Sequence, residues 1–164
     1  PAEVLEASYP VMFTQWALRP DSAGAGTHRG GLGAVYELEI LNPGGADVAL
    51  LGERGRFAPF GVTGGGAGAL NRFQWQMAAG WAEPPMASKI TGVRLSAGQR
   101  LRLETPGGGG WGDPALREPA KVAADVANGF VDGAAARTTY RVSLDAGGQV
   151  DAAATAILRG EGRP

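Results

Sequence analysis

Four consecutive glycines at positions 107–110 constrain this chain more than any other feature, because they lie between a strand pattern and the start of a helix pattern. Glycine loses more conformational freedom on folding than any other residue, so a run of four is costly to order. The run is nevertheless flanked by Pro106, Trp111 and Pro114, which restrict the backbone or bring apolar surface. We therefore expect an ordered loop, in which another backbone segment or a ligand comes too close for a Cβ atom.

Glycine is concentrated in three parts of the chain. Of the 164 residues, 28 are glycine, more than twice the usual share of about 7%. They cluster at 24–33, 61–68 and 107–112, with no fixed period between the clusters. This spacing excludes collagen and solenoid repeats and favours glycine-rich loops on a β scaffold.

The composition excludes several other classes of protein. The chain has a net charge of −1 and no basic block, so it lacks the positive surface of a nucleic-acid binder. The absence of cysteine excludes disulfides and thiolate chemistry, and a single histidine, His28, argues against a self-contained zinc site. The chain shows neither an apolar run of about 18 residues nor a signal-peptide pattern, so we expect a soluble, cytoplasmic protein.

Apolar alternation and β-branched residues predict a series of strands. The predicted strands span residues 11–18, 35–41, 47–52, 73–77, 89–95, 99–104 and 138–144. The turn sequence at 42–45 predicts a hairpin between the second and third strands, and the turn at 96–98 predicts pairing of the fifth with the sixth.

Helical patterns are confined to the C-terminal third. Pro119 suits a first helical position and Asn128-Gly129 a helix end, which predicts a helix over 119–128. Asp132 and Asp151 are positioned to cap helical segments at 133–137 and 152–159. The predicted fold is mainly β with small C-terminal helices (α+β), an antiparallel sheet or sandwich with glycine-rich loops, in a single domain over residues 1–164.

The four glycines leave two interpretations open. Free backbone amides can bind phosphate where no side chain interferes. However, a P-loop needs Lys-Ser/Thr after the glycines, where this chain has Trp-Gly-Asp-Pro, and a dinucleotide motif needs a parallel sheet. We therefore favour a tight loop that packs against another backbone over a phosphate site.

Charged residues accompany the other two glycine clusters. Asp21, His28 and Arg29 on the first could contact an anion or substrate, with Arg29 binding a carboxylate through two hydrogen bonds. The preferred alternative is an Asp21–Arg29 pair that closes the loop on itself, with His28 a surface residue. Near the second cluster, Glu53 and Arg54 form either a solvated strand end or a surface that faces a partner.

No catalytic group can be assembled from the sequence. Only His28 could serve as a base for Ser22, Ser88, Ser96 and Ser143, and none of these serines lies in a G-x-S-x-G motif. Strand alternation or capping accounts for the paired carboxylates. We therefore predict no catalytic residue and no metal ligand in this chain.

The three clusters and the C-terminal segments together resemble the C-terminal region of the hydantoinase B/oxoprolinase family. The resemblance rests on Arg-Pro-Asp-Ser at 19–22 with Arg-Gly-Gly-Leu-Gly at 29–33, on residues 53–66, and on Glu-Thr-Pro-Gly-Gly-Gly-Gly-Trp-Gly-Asp-Pro at 104–114. Residues 124–129, 140–142 and 150–155 also resemble the family's ending.

The resemblance implies a role inside a larger enzyme. B subunits of this family work with an A subunit of the actin-like ATPase class and open cyclic amides at the expense of ATP, while relatives carboxylate ketones. The B subunit is several hundred residues long, with its metal-binding residues in the N-terminal part, so they match no position here. The resemblance thus implies that this chain itself binds no cofactor, and that ATP with Mg²⁺ and a divalent metal belong to partner chains.

We therefore expect a small subunit or a C-terminal fragment of an ATP-dependent cyclic-amide hydrolase. The expected partners are the remainder of the B-type subunit, an A-type ATPase subunit and a small cyclic-amide or ketone substrate. A ketone carboxylase component and a non-catalytic β scaffold remain the alternatives. The candidate substrate or interface residues are Asp21, His28, Arg29, Gly30, Gly31, Gly107, Gly108, Gly109, Gly110 and Asp113.

Overall fold

The computed structural model of this protein describes residues 1–160, and the chain alternates between two compact units. The first unit contains residues 1–18, 34–58 and 70–106. The second contains residues 19–33, 59–69 and the chain from 107 onward. The single domain expected from the sequence stays a prediction.

The first unit holds a short helix and all the strands of the described chain. These elements are α1 (Ala2–Ser8), β1 (Val11–Leu18), β2 (Ala34–Ile40), β3 (Ala46–Leu51), β4 (Arg72–Met77), β5 (Gly80–Ala82), β6 (Lys89–Leu95) and β7 (Arg100–Glu104). They form a five-stranded sheet in the order β1-β2-β7-β4-β5 and a two-stranded sheet of β3 and β6. Every pairing between these strands is antiparallel.

Apolar side chains from both sheets form one core in the first unit. Ile40, Phe73 and Leu101 come from the larger sheet, while Leu50 and Leu95 come from the smaller one. Leu95 is fully buried. The two sheets therefore pack face to face, and the mainly β, α+β fold with antiparallel sheets is confirmed.

Two predicted strand pairings are wrong. The turn at 42–45 does form, and the Gly45 N–H donates to the Asn42 carbonyl at 2.8 Å. However, the chain then enters the other sheet, where β3 pairs with β6, while β2 pairs with β1 and β7. The β6–β7 pair likewise does not form, because β7 lies between β2 and β4. Turn residues predict a change of direction, but each strand pairs where its apolar face can be buried.

The second unit holds the remaining helices. A 3-10 turn at Pro114–Leu116 is followed by α2 (Pro119–Ala127), α3 (Gly133–Thr138) and α4 (Ala152–Arg159). The predicted caps are confirmed, since Asp132 accepts from the Ala135 N–H and Asp151 from the Ala154 N–H.

The predicted strand at 138–144 is wrong. Thr138 ends α3, and of the remaining residues only Leu144 forms a bridge, with Val150. Tyr140 and Val142 are buried in a second core with Val122 of α2, so their alternating apolar pattern reflects burial of an irregular segment. Helix α1 and strand β5 were not predicted.

A buried carboxylate lies on one face of the larger sheet. Glu37 of β2 is only 5% exposed. It accepts hydrogen bonds from Arg102 Nη2 at 2.7 Å, Arg100 Nη1 at 3.1 Å and Thr14 Oγ1 at 3.1 Å. Burial by itself raises the pKa of this carboxyl, but the hydrogen bonds from Arg102, Thr14 and Arg100 outweigh it, so the pKa lies below the ordinary value of 4.5.

We predict that Glu37 contributes stability that is lost at acid pH. Because its pKa is lower in the folded state, this contribution is present above the unfolded pKa and disappears as the pH falls through the folded pKa. The free energy of unfolding by urea, followed from about pH 6 to about pH 3, should fall more steeply for the wild type than for Glu37→Gln. As a control, Asp47→Asn removes an exposed ion pair with Arg94 and should retain the wild-type slope. Equal slopes for wild type and Glu37→Gln would contradict the prediction.

Candidate functional site

The three glycine-rich segments come together in the second unit. We call residues 24–33, 61–68 and 107–112 the glycine cluster. The third segment is hydrogen-bonded to both of the others: the Gly24 N–H donates to the Gly108 carbonyl at 2.8 Å, and the Gly110 N–H donates to the Gly66 carbonyl at 2.9 Å. The first and second segments are also joined, by the Gly66 N–H and the Ala25 carbonyl at 2.7 Å.

The backbones approach so closely that side chains are excluded from most of the cluster. A Cβ atom at Gly107 would lie 1.8 Å from the Ser22 carbonyl oxygen, and one at Gly109 would lie 1.9 Å from that of Phe60. At Gly110 the same atom would lie 2.0 Å from the Ala25 carbonyl oxygen. The predicted ordered loop is therefore confirmed, and the group that approaches it is the chain's own backbone.

Most amides of the four-glycine run are used within the chain. The Gly107, Gly108 and Gly110 N–H groups donate to the carbonyls of Ala69, Gly31 and Gly66 at 3.3, 2.8 and 2.9 Å. A phosphate or oxyanion site needs amides that point freely at one ligand. Binding through these three amides would require the cluster to open.

His28 and Trp111 close the edge of the cluster. Each donates its N–H to the carbonyl of the other, at 3.0 and 2.9 Å, and their rings lie 5.4 Å apart. Trp111 remains 50% exposed. The Asp113 carboxylate accepts from the Ala115 N–H and caps the following 3-10 turn. His28 and Asp113 therefore both make contacts that stabilise the fold.

Arg29 binds a carboxylate of the chain itself through two hydrogen bonds, whereas the sequence suggested the carboxylate of a ligand. Its Nε and Nη2 donate to the two oxygens of Asp125 at 3.0 and 3.2 Å, and Arg117 Nη2 donates to the same carboxylate at 2.8 Å. The expected Asp21–Arg29 pair is wrong, because Asp21 instead accepts from the Asp132 N–H at 3.0 Å. Arg29 therefore fixes the loop to α2.

Sequence reasoning missed Asp125 and Arg117, both of which are buried. Asp125 follows Val122 by three residues, so both lie on the same face of α2. A carboxylate on the apolar face of an amphipathic helix indicates a buried cationic partner, and this was the available signal. Arg159 of α4 extends the cluster by donating from Nη2 to the Arg117 carbonyl at 2.6 Å.

The described residues provide no metal centre. Within residues 1–160, no three His, Asp or Glu side chains are grouped so that they could hold a metal ion. The same part of the chain has no helix with the length and apolarity to cross a membrane.

Comparison with known proteins assigns the family. The family model described as Hydantoinase B/oxoprolinase matches residues 1–114, a range that includes all three segments of the glycine cluster. The chain therefore belongs to this family, and the resemblance predicted from its glycine motifs is confirmed.

Individual relatives agree with this assignment. The chain is 40% identical to caprolactamase subunit beta of Pseudomonas jessenii, over 93% of this chain and 26% of that protein. The crystal structure of the ATP-dependent caprolactamase from that organism matches with a TM-score of 0.82 and 35% identity, over 98% of this chain and 28% of the other. A nucleotide-free acetone carboxylase structure matches with a TM-score of 0.85 over 98% of this chain and 26% of that one, at 24% identity, which shows the fold alone. The chain thus spans about a quarter of the length of these relatives.

We predict that alanine at two adjacent glycines of the cluster has effects of very different size on stability. A Cβ at Gly30 would lie 2.1 Å from the Gly108 carbonyl oxygen, whereas a Cβ at Gly31 meets nothing within 4 Å. Gly30→Ala should lower the free energy of unfolding by about 3 kcal/mol, because two backbones must separate. Gly31→Ala should change it by less than about 1 kcal/mol. Urea denaturation of both variants checks this. Similar losses of unfolding free energy in the two variants would contradict the prediction, because only Gly30 is closely packed.

We also predict that Asp125 is essential for the stability of the second unit. Asp125→Asn should cost about 3–5 kcal/mol, because the buried Arg117 and the partly buried Arg29 lose their shared carboxylate. Glu118→Gln is the control at the start of the same helix, since its pair with Lys121 is exposed, and it should cost less than about 1 kcal/mol. Unfolding by urea measures both, and a small effect of Asp125→Asn would contradict the role given to this carboxylate.

Proposed function

We propose that this chain is part of an ATP-dependent cyclic-amide hydrolase of the hydantoinase/5-oxoprolinase type. In this role, a small subunit or fragment completes the scaffold of a B-type subunit and its substrate chamber. The observation that carries the proposal is 40% identity with a caprolactamase beta subunit over 93% of the chain. Caprolactam is a cyclic amide, and the related crystal structure is that of an ATP-dependent enzyme.

The partners follow from the same proposal. The remainder of a B-type subunit and an A-type ATPase subunit would bind ATP with Mg²⁺ and a divalent metal. The assembly would work in the cytoplasm. Caprolactamase and hydantoinase relatives are subunits beta and B, which supports an assembly of several chains. Exposed apolar side chains on the first unit, including Trp16 and Trp81, are the kind of surface that a partner would cover.

The candidate loop residues take positioning roles in this proposal. Arg29 fixes the first glycine segment to α2, and the glycines at 107–110 allow the three segments to meet. The loop would thereby form part of the chamber wall or seat the remainder of the B-type subunit. An alternative role, in which the four-glycine run holds an oxyanion, predicts that Gly108→Ala lowers activity far more than stability.

The experiment is an assay of the complete assembly. Coexpressed A- and B-type polypeptides that include this chain should hydrolyse ATP when a lactam, a hydantoin or 5-oxoproline is opened. Gly133→Ala is the folded control for Gly108→Ala, because its Cβ meets nothing within 4 Å and it is not one of the candidate residues. A native mass equal to the chain's own 16.7 kDa in the presence of those polypeptides would overturn the proposal.

A ketone carboxylase is the second candidate. The acetone carboxylase structure favours it through a TM-score of 0.85, although this likeness extends to the fold alone. ATP consumption with a ketone and bicarbonate, but not with cyclic amides, would select it. An assembly that forms but consumes ATP in neither assay would favour the non-catalytic scaffold.

A further inference from the structure

A charged cavity in the first unit takes no part in the function proposed above. Two segments line it, residues 52–57 after β3 and residues 86–89, which lead into the first residue of β6. Its volume is about 500 Å³, and the lining includes Arg54, Arg56, Lys89 and Ser88. All of these residues belong to the same compact unit.

The cavity carries an excess of positive charge. Its one lining carboxylate, Glu53, lies 3.5 Å from Lys89 Nζ. Within residues 1–160, neither Arg54 nor Arg56 forms an ion pair with a carboxylate, and the Arg56 guanidinium instead lies 5.9 Å from the centre of the Phe57 ring. Two guanidinium groups without acidic partners are suited to a planar oxyanion.

A buried hydroxyl in the same wall lacks a partner. Ser88 is 4% exposed, and its Oγ has no hydrogen-bond partner among the described residues. The Oγ lies directly against Gly55, where a Cβ would come within 1.7 Å of it. Buried polar groups in native proteins are normally hydrogen-bonded, so a donor left over in a cavity wall indicates a bound acceptor.

The backbone of both loops is strained where they face the cavity. Arg54 and Ala87 have φ values of +62° and +57°, which side chains other than glycine rarely adopt. Backbone hydrogen bonds hold both loops in this conformation. The Asn71 N–H donates to the Arg54 carbonyl at 3.0 Å, and the Gly52 N–H donates to the Ser88 carbonyl at 2.8 Å. Strain of this kind is concentrated at ligand sites.

We propose that this cavity binds the oxyanion group of a small molecule, a phosphate or a carboxylate. Arg54 and Arg56 donate charge-assisted hydrogen bonds to the anion, and Ser88 Oγ donates a further one. The side chains of Phe57 and Met86 line the same cavity and offer apolar contact to the organic part of the ligand. The proposal is independent of the reaction assigned above.

The test is the binding of simple anions to the full chain at constant ionic strength in chloride. Isothermal titration calorimetry with inorganic phosphate and with acetate should show saturable binding of at least one. The anion with the lower Kd shows whether the natural ligand carries a phosphate or a carboxylate. Arg54→Asn and Arg56→Gln should each raise Kd by about tenfold, and Ser88→Ala by about threefold.

The controls separate binding from folding and from net charge. Asparagine tolerates positive φ, so Arg54→Asn keeps the backbone, and Arg141→Asn removes the same charge at a φ of +53° outside the cavity. Arg141→Asn should leave Kd within about twofold of the wild type. Ser88→Ala should be as stable as the wild type in chloride, because the hydroxyl it removes has no partner.

Three results would overturn the proposal. The first is that the wild type binds neither anion saturably, and the second is that Arg141→Asn weakens binding as much as Arg54→Asn does. The third is loss of binding in the complete A- and B-type assembly, which would mean that carboxylates of the assembly occupy the arginines. Loss of cyclic-amide hydrolysis with anion binding retained would leave this proposal standing and overturn only the proposed reaction.

Discussion

Contact between backbones, without intervening side chains, is the constraint on which the second unit depends. Gly110 shows its severity, because the Ala25 carbonyl lies where its Cβ would be, and its own carbonyl lies where the Cβ of Gly65 would be. Glycine is required at such positions for reasons of space rather than flexibility. The hydrogen bonds between the segments satisfy backbone groups that neither a helix nor a sheet satisfies here. These hydrogen bonds oppose the entropy that is lost when the glycines are ordered.

The rest of the unit holds this cluster in place. The side chain of Arg29 extends from the first glycine segment and binds Asp125 on α2, and Arg117 binds the same carboxylate. Val122 lies on the same face of α2 and belongs to the core with Tyr140, whose pKa is raised chiefly by burial. One helix therefore contributes both an apolar contact and a charged one, and the two together hold the first glycine segment, whose Ala25 and Arg29 side chains make these contacts.

Local features could be predicted from the sequence, and long-range ones could not. The caps Asp132 and Asp151, the strand at 11–18 and the close approach at 107–110 all depend on neighbouring residues or on steric size. Partners of a strand depend on the whole chain, which is why the turn at 42–45 was identified while the pairing of β3 with β6 was missed. Asp125 was missed because its arginine partners are distant in sequence. The cavity lined by Arg54 and Ser88 was missed for the same reason, since it requires two separate loops to meet.

The order in which the three glycine segments occur has a consequence for biosynthesis. The first segment emerges from the ribosome before the third, so the Gly24 and His28 N–H groups have no partner until Gly108 and Trp111 have been made. Such non-local closure is slow compared with the formation of single helices. The cluster can therefore be completed only after residues 107–112 have been synthesised, so closure of the second unit requires its C-terminal part.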